Sequence, residues 1–364
     1  MTSSLFQPFS CRGLTTKNRI VMAPMTRSKS PNGLAGDDVA AYYRRRAEAD
    51  VGLIVTEGTT IDRAGASNDT SVPVFHGDEA LARWKHVCAE VHAGGGKIAP
   101  QLWHIGMVRK PGTGHNPEAS TDSPSGLTHT AKLVAPVPSE ADVDDMVMSF
   151  ARSAGHAADL GFDAIEIHGA HGYLVDQFFW QVMNAREDKY GGGLTERASF
   201  AASIISECRK AVGDNIPIIL RFSQWKQQEY TAKLAETPQE LEAFLNVLSE
   251  AGVDIFHCSQ RRFWEPEFKG SDLNLAGWTK KITGKPTITV GSVGLNGDFI
   301  AAFQGENSGV APLTKLLERL DAGEFDMVAV GRALLQDPLW AQKVKEGRMD
   351  ELMDYDVAAL KTLY

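Results

Sequence analysis

The chain has 364 residues, 37 Lys and Arg against 46 Asp and Glu, a formal net charge of -9, and 43% hydrophobic residues. That balance is typical of a folded globular protein and excludes a disordered one, while the negative charge argues against a nucleic-acid partner and leaves small molecules as the expected ligands. No stretch approaches the ~20 apolar residues of a membrane span and the first residues lack a leader pattern, so a cytoplasmic protein off the membrane is expected. Cys11, Cys88, Cys208 and Cys258 lie without C-x-x-C spacing, as isolated reduced thiols would.

In chain order, short apolar runs alternate with segments of helical spacing. The first run, RIVMAPMT (19–26), precedes a helical pattern over 35–49; ADVGLIVTEG (49–58) precedes another over 78–94; GKIAPQLW (96–103) follows. His104 to Pro138 is rich in Gly, Pro, Ser and Thr and reads as a capping excursion at an active site. A helical pattern over 139–161 then leads into LGFDAIEIHG (160–169), one over 196–213 into IPIILRFS (216–223), and one over 237–252 into AGVDIFHCSQ (251–260). PTITVGS (286–292) and GEFDMVAVGR (323–332) complete eight candidate strands. Continuous apolar runs between turn signals suit strands buried on both faces and joined by helical crossovers. The expected fold is α/β, an eight-stranded parallel (βα)8 TIM barrel, as a single domain over 1–364. An open doubly wound sheet is the alternative, but no G-x-G-x-x-G follows the first strand.

In a barrel of this kind the loops after the strands build the site, so residues at the strand ends converge on one mouth. Gly291 and Ser292, then Gly331 and Arg332, offer backbone approach and a guanidinium on the last two strands and read as a phosphate site. Turning glycines with a paired arginine are the plainer reading. Thr26, Gln101 and Arg221 supply a hydroxyl, an amide and a fixed cation able to hold a flat heterocycle edge-on, with the cation stabilising a reduced anionic ring. In HGAHGYLVDQFF (168–179), two imidazoles and a phenol lie close together. A strand would point His168 and His171 oppositely, so Gly169 and Gly172 imply a turn just past the strand. The imidazole pair could polarise a substrate oxygen while Tyr173 delivers a proton. A metal would need a third ligand, with His104 or Glu166 available; neither lies in a ligand pattern, and no metal is expected.

NRIVMAPMTR (18–27), TEG (56–58), QLWHIG (101–106), HGAHGYLVDQFF, NAREDKYGG (184–192), RFS (221–223) and VGRALLQDPLW (330–340) together resemble the Old Yellow Enzyme family of flavin-dependent ene reductases over nearly the whole chain. The resemblance implies non-covalent FMN, with Pro24, Met25 and Thr26 against the ring, Gly58 and Gln101 on its polar edge, Arg221 near its pyrimidine side, and Gly291, Ser292, Gly331 and Arg332 on the phosphate. It implies NADH or NADPH as electron donor and alternating hydride transfers to an enone, maleimide or nitro substrate. His168 and His171 would bind the acceptor, Tyr173 would protonate it, and Trp103 would line the pocket. Two stretches depart from the family pattern: Gln224 to Gln228 lacks the usual proline turn, and His257 to Phe268 is basic and aromatic. There, Arg261, Arg262, Phe263 and Trp264 contact nicotinamide or substrate, or else form an anchored surface loop. A metal-dependent hydrolase on the same barrel and a non-catalytic flavin- or phenol-binding protein are the rival readings.

Overall fold

The computed structural model describes residues 4–297 and 305–364. Strands β1 (Phe9–Cys11) and β2 (Leu14–Thr16) form an antiparallel hairpin. The next eight are β3 (Ile20–Met22), β4 (Leu53–Thr60), β5 (Lys97–Trp103), β6 (Ile165–His171), β7 (Ile218–Lys226), β8 (Ile255–Ser259), β9 (Thr287–Val290) and β10 (Met327–Val330). They pair in parallel and in chain order, and β10 closes on β3 to complete the barrel. All eight expected strands are present. The five expected helical segments are present too, at Asp37–Glu48, Asp78–Ala93, Glu140–Asp159, Ser199–Val212 and Pro238–Ala251. Two of these begin in capping boxes, Ser139 with Asp142 and Thr237 with Glu240, which satisfy the otherwise orphaned first-turn N–H groups.

Side-chain alternation along the strands divides the core in two. Val21, Leu53, Val55, Ala99, Ala164, Ile219, Ile255, Ile288, Met327 and Ala329 fill the barrel interior, with Phe9 and Leu14 from the hairpin packed against them. Their neighbours Ile20, Ile54, Ile98, Ile165, Ile218, Phe256 and Val328 face the helices in the larger outer core. The hairpin has no counterpart in the sequence reading because a three-residue strand carries too short an alternation to register.

Along the inward face the chemistry changes toward the C-terminal ends. Ala99 is followed two residues on by Gln101, Ala164 by Glu166 and then His168, Ile219 by Arg221, and Ile255 by His257 and then Ser259. All of these polar residues are buried. The apolar half stabilises the barrel and the polar half opens on one mouth, as the strand-end rule requires.

β6 does not stop at Gly169 as expected; it continues to His171. The turn begins at Gly172, whose φ is 77°. Between Gly169 and His171 the ladder with β7 shifts register, Gly169 lying opposite Phe222 and His171 opposite Lys226. Two residues of β6 thus span the same interval as four of β7, a bulge that re-aims the side chains beyond it. Ser223 fills the irregularity, its Oγ accepting from the His171 N–H at 3.0 Å and donating to the Trp225 carbonyl at 2.7 Å. With φ at 66°, His171 turns back toward His168, which a regular strand would have prevented.

Among the described residues no helix is long and apolar enough to cross a membrane. The four cysteines form no disulfide.

Candidate active site

Two adjoining chambers open at the mouth. The larger, about 370 Å³, is lined by Thr26, Gln101, Trp103, His168 and Tyr173 among others. The smaller, about 100 Å³, lies against Gly291, Ser292 and Gly331. Pro24, Met25, His171, Arg221 and Arg332 border both. The fold therefore brings together every expected site residue except Gly58, which lines neither chamber. A Cβ on Gly58 would fall 2.6 Å from Cε3 of the Trp103 ring. Gly58→Ala should accordingly displace Trp103 and cost about 1–3 kcal/mol of stability, readable in a urea melt, with the tryptophan emission shifting in parallel.

Four rings meet in the larger chamber, and a fifth, Trp225, joins them from the smaller one. The centroids of His168 and His171 lie 5.2 Å apart at 86°, Tyr173 lies 5.0 Å from both His168 and Trp103, and Trp225 stacks on His171 at 4.6 Å. Val72 and Ile105 pack around Trp103 and Tyr173. Burial, and then the Arg221 guanidinium, hold both histidines well below the ordinary imidazole value, so they are neutral. His168 Nδ1 accepts the Ala170 N–H at 3.3 Å, which leaves its proton on Nε2. His171 Nε2 lies 2.8 Å from Ser259 Oγ. Burial pushes the Tyr173 phenol up, so it keeps its proton, and its hydroxyl donates to Gln227 Oε1 at 3.4 Å.

The turn that carries these groups is pinned from below. Asp176 accepts the Gly172 N–H at 2.7 Å and the Lys226 ammonium at 2.5 Å. Both members of the ion pair are essentially sealed from water, at 0% and 1% side-chain exposure. Lys226 belongs to the stretch that departs from the family pattern.

The residues present fit an FMN. Arg221 is buried, its terminal nitrogen 3.4 Å from Ser259 Oγ, and its Nε has no hydrogen-bond partner among the described residues. An unpartnered nitrogen on a guanidinium that lines both chambers calls for an acceptor on the ligand. In the smaller chamber, Arg332 reaches across from β10 to Ser292 Oγ at 3.2 Å and the Gly297 carbonyl at 2.6 Å, tying the last two loops together. Ser292 adopts left-handed backbone, φ 51°, and its hydroxyl donates toward the Arg261 and Gly297 carbonyls.

Both candidates for a third metal ligand are engaged elsewhere. His104 Nε2 pairs with Asp122 at 2.9 Å, and Glu166 pairs with His257 at 2.6 Å. Among the described residues no group of three or more His, Cys, Asp or Glu could hold a metal ion.

Sequence reasoning missed part of the lining. The His104–Pro138 excursion contributes no lining residue to either chamber; it acts through Ile105, which buttresses Trp103. The roof includes Leu335, Tyr355 and Leu360 instead. Arg27 donates to the carbonyls of Ala359, Leu360 and Thr362, and Arg46 to those of Leu334, Leu335 and Tyr364. In the basic loop, Arg261 borders the smaller chamber, while Phe263 is buried and its carbonyl accepts from Asn274 at 2.8 Å. That loop is thus both an anchored segment and a chamber wall.

Over residues 4–351 the chain matches the NADH:flavin oxidoreductase / NADH oxidase family. It is 32% identical over 348 residues to an NADPH dehydrogenase of Bacillus subtilis (strain 168), covering 94% of each chain. It is 32% identical over 360 residues to an NADH oxidase of Thermoanaerobacter brockii, covering 96% of this chain but only 52% of that protein's length. Among solved structures it is similar to morphinone reductase, with a TM-score of 0.77, 25% identity, and coverage of 94% of this chain and 90% of the other.

Proposed function

Since the chain belongs to the NADH:flavin oxidoreductase / NADH oxidase family, flavin enzymes of the Old Yellow Enzyme type that use FMN and NADH or NADPH, we propose that it is a cytoplasmic, single-domain ene reductase. Its acceptors are electron-poor alkenes, enones and maleimides, with nitro compounds as a second class. The observation that carries this reading is the convergence of two neutral imidazoles and a protonated phenol on one chamber floored by Arg221.

When bound, FMN supplies the two-electron chemistry, taking hydride from the nicotinamide and giving it to the alkene. Pro24, Met25, Thr26, Gln101 and Arg221 would hold its ring, and Gly291, Ser292, Gly331 and Arg332 its phosphate. Gly58 would act on the ring indirectly, by giving Trp103 room. His168 donates through Nε2–H to the acceptor's carbonyl or nitro oxygen. Arg221 donates to Ser259 Oγ; with the serine proton given to His171 Nε2, the His171 proton sits on Nδ1 as a second donor. Polarising that oxygen draws electrons from the β carbon, and Tyr173 gives its phenolic proton to the α carbon. Tyr173 and Trp103 also border the substrate.

The test is anaerobic stopped-flow: reduce the protein with NADPH or NADH, then mix with 2-cyclohexenone, N-ethylmaleimide and a nitroalkene. The flavin band should bleach with nicotinamide and return with at least one acceptor. A band that bleaches and returns with none of them rules out the proposed activity. Arg332→Ala should raise the FMN dissociation constant about 10- to 100-fold, the cost of one charge-assisted phosphate contact, as read by fluorescence titration.

A further inference from the structure

One layer below the larger chamber, three inward side chains form a hydrogen-bonded chain to which the reaction assigns no step. Gln101 Nε2 donates to Glu166 Oε1 at 2.7 Å, and His257 Nδ1 lies 2.6 Å from Glu166 Oε2. Glu166 and His257 are fully buried, and only Gln101 reaches the chamber wall. Neighbouring strands fix the assembly: Gln101 on β5 lies opposite Glu166 on β6, and Arg221 on β7 lies opposite His257 on β8.

A carboxylate can only accept hydrogen bonds, whereas an amide has a donating and an accepting end. Glu166 therefore decides which way the Gln101 amide faces. Its nitrogen must turn down to the carboxylate, which turns the carbonyl oxygen toward the chamber. The backbone cannot relax this, because the Gln101 N–H donates to Thr56 Oγ1 at 3.2 Å and its carbonyl accepts from Thr59 Oγ1 at 3.0 Å. The carboxylate cannot swing away either, because His257 holds its other oxygen. His257 Nε2 is buried with no hydrogen-bond partner among the described residues. The imidazole therefore has its proton on Nδ1, committed to Glu166.

We propose that Glu166 is a positioning residue for FMN: by taking the Gln101 amide proton it commits the Gln101 carbonyl to the chamber as an acceptor beside the Arg221 donors. The floor then complements a ring edge that runs carbonyl, N–H, carbonyl, which is the imide edge of the flavin pyrimidine. A ring with the reverse pattern would set carbonyl against carbonyl. This inference rests on the FMN reading above.

The test uses the full chain saturated with FMN carrying a heavy nitrogen isotope at N3. In the wild type, the N3-bound proton should appear at low field in the NMR spectrum and exchange slowly with water. In Glu166→Gln the acceptor-only carboxylate is gone and the Gln101 amide can reverse. The protected signal should be lost and the FMN dissociation constant should rise about tenfold, the value of one buried hydrogen bond. A purely structural role would weaken binding and leave the N3 proton protected. Should Glu166→Gln fail to fold, Gln101→Met serves instead: it removes the carbonyl, leaves the Glu166–His257 contact in place, and must lose the same signal. An unprotected N3 proton in the wild type, or one still protected in either variant, overturns the role of Glu166 alone. Failure of the chain to take up any FMN overturns the functional reading and this inference together.

Discussion

Tyr173→Phe should leave reduction of the enzyme by NADPH within about twofold of wild type while slowing its reoxidation by an enone by about 10²- to 10⁴-fold. The variant removes one hydroxyl and keeps the ring, so the contacts with Trp103 and His168 at 5.0 Å survive and the chamber keeps its shape. What is lost is a proton held ready in a buried phenol whose pKa is raised by desolvation. Reduction by nicotinamide needs no proton from this residue, and that asymmetry is the diagnostic. The two half-reactions should be followed separately under anaerobic conditions. Equal slowing of both would mean that Tyr173 shapes the chamber and does not serve as the acid.

Lys226→Met should cost about 3–5 kcal/mol of stability, the penalty for stranding one member of a buried ion pair. Asp176 would be left fully buried, where burial already raises its pKa and the Lys226 ammonium is the main opposing influence. The damage should reach the active site, because the same carboxylate holds the Gly172 N–H between His171 and Tyr173. Adding Asp176→Asn removes the stranded charge and keeps an oxygen for Gly172, so the double variant should recover most of the loss. Urea denaturation of the single and double variants decides the matter. A single-variant loss below about 1 kcal/mol would show that the pair contributes little.

The barrel was legible because its strands are continuous apolar runs between turn signals, and because residues such as Gln101, His168 and Arg221 interrupt those runs at the end where a site must form. His168, His171 and Tyr173 could be grouped from spacing, but the way they converge could not be read. The bulge depends on pairing between β6 and β7, and nothing local in HGAHGY announces that His171 lies opposite Lys226. The Lys226–Asp176 pair was hidden for the same reason, since its members are separated by 50 residues. Leu360 and Tyr355 follow the last barrel strand with no periodic pattern of their own, and long-range contacts, among them those of Arg27 and the backbone pairing of Tyr355 with Ser308, bring that part of the chain to the mouth. From the sequence Glu166 reads as a possible metal ligand, but its bond to His257 across the barrel interior gives it different work.

Arg27 holds the roof segment through the main-chain oxygens of Ala359, Leu360 and Thr362, and every residue type supplies one of those. Side chains at positions such as Leu360 can therefore be exchanged without loosening the strap. If the proposed activity holds, acceptor preference can drift here while the floor of the chamber stays constant, which makes this segment the natural place to begin changing the size of acceptor the chamber admits.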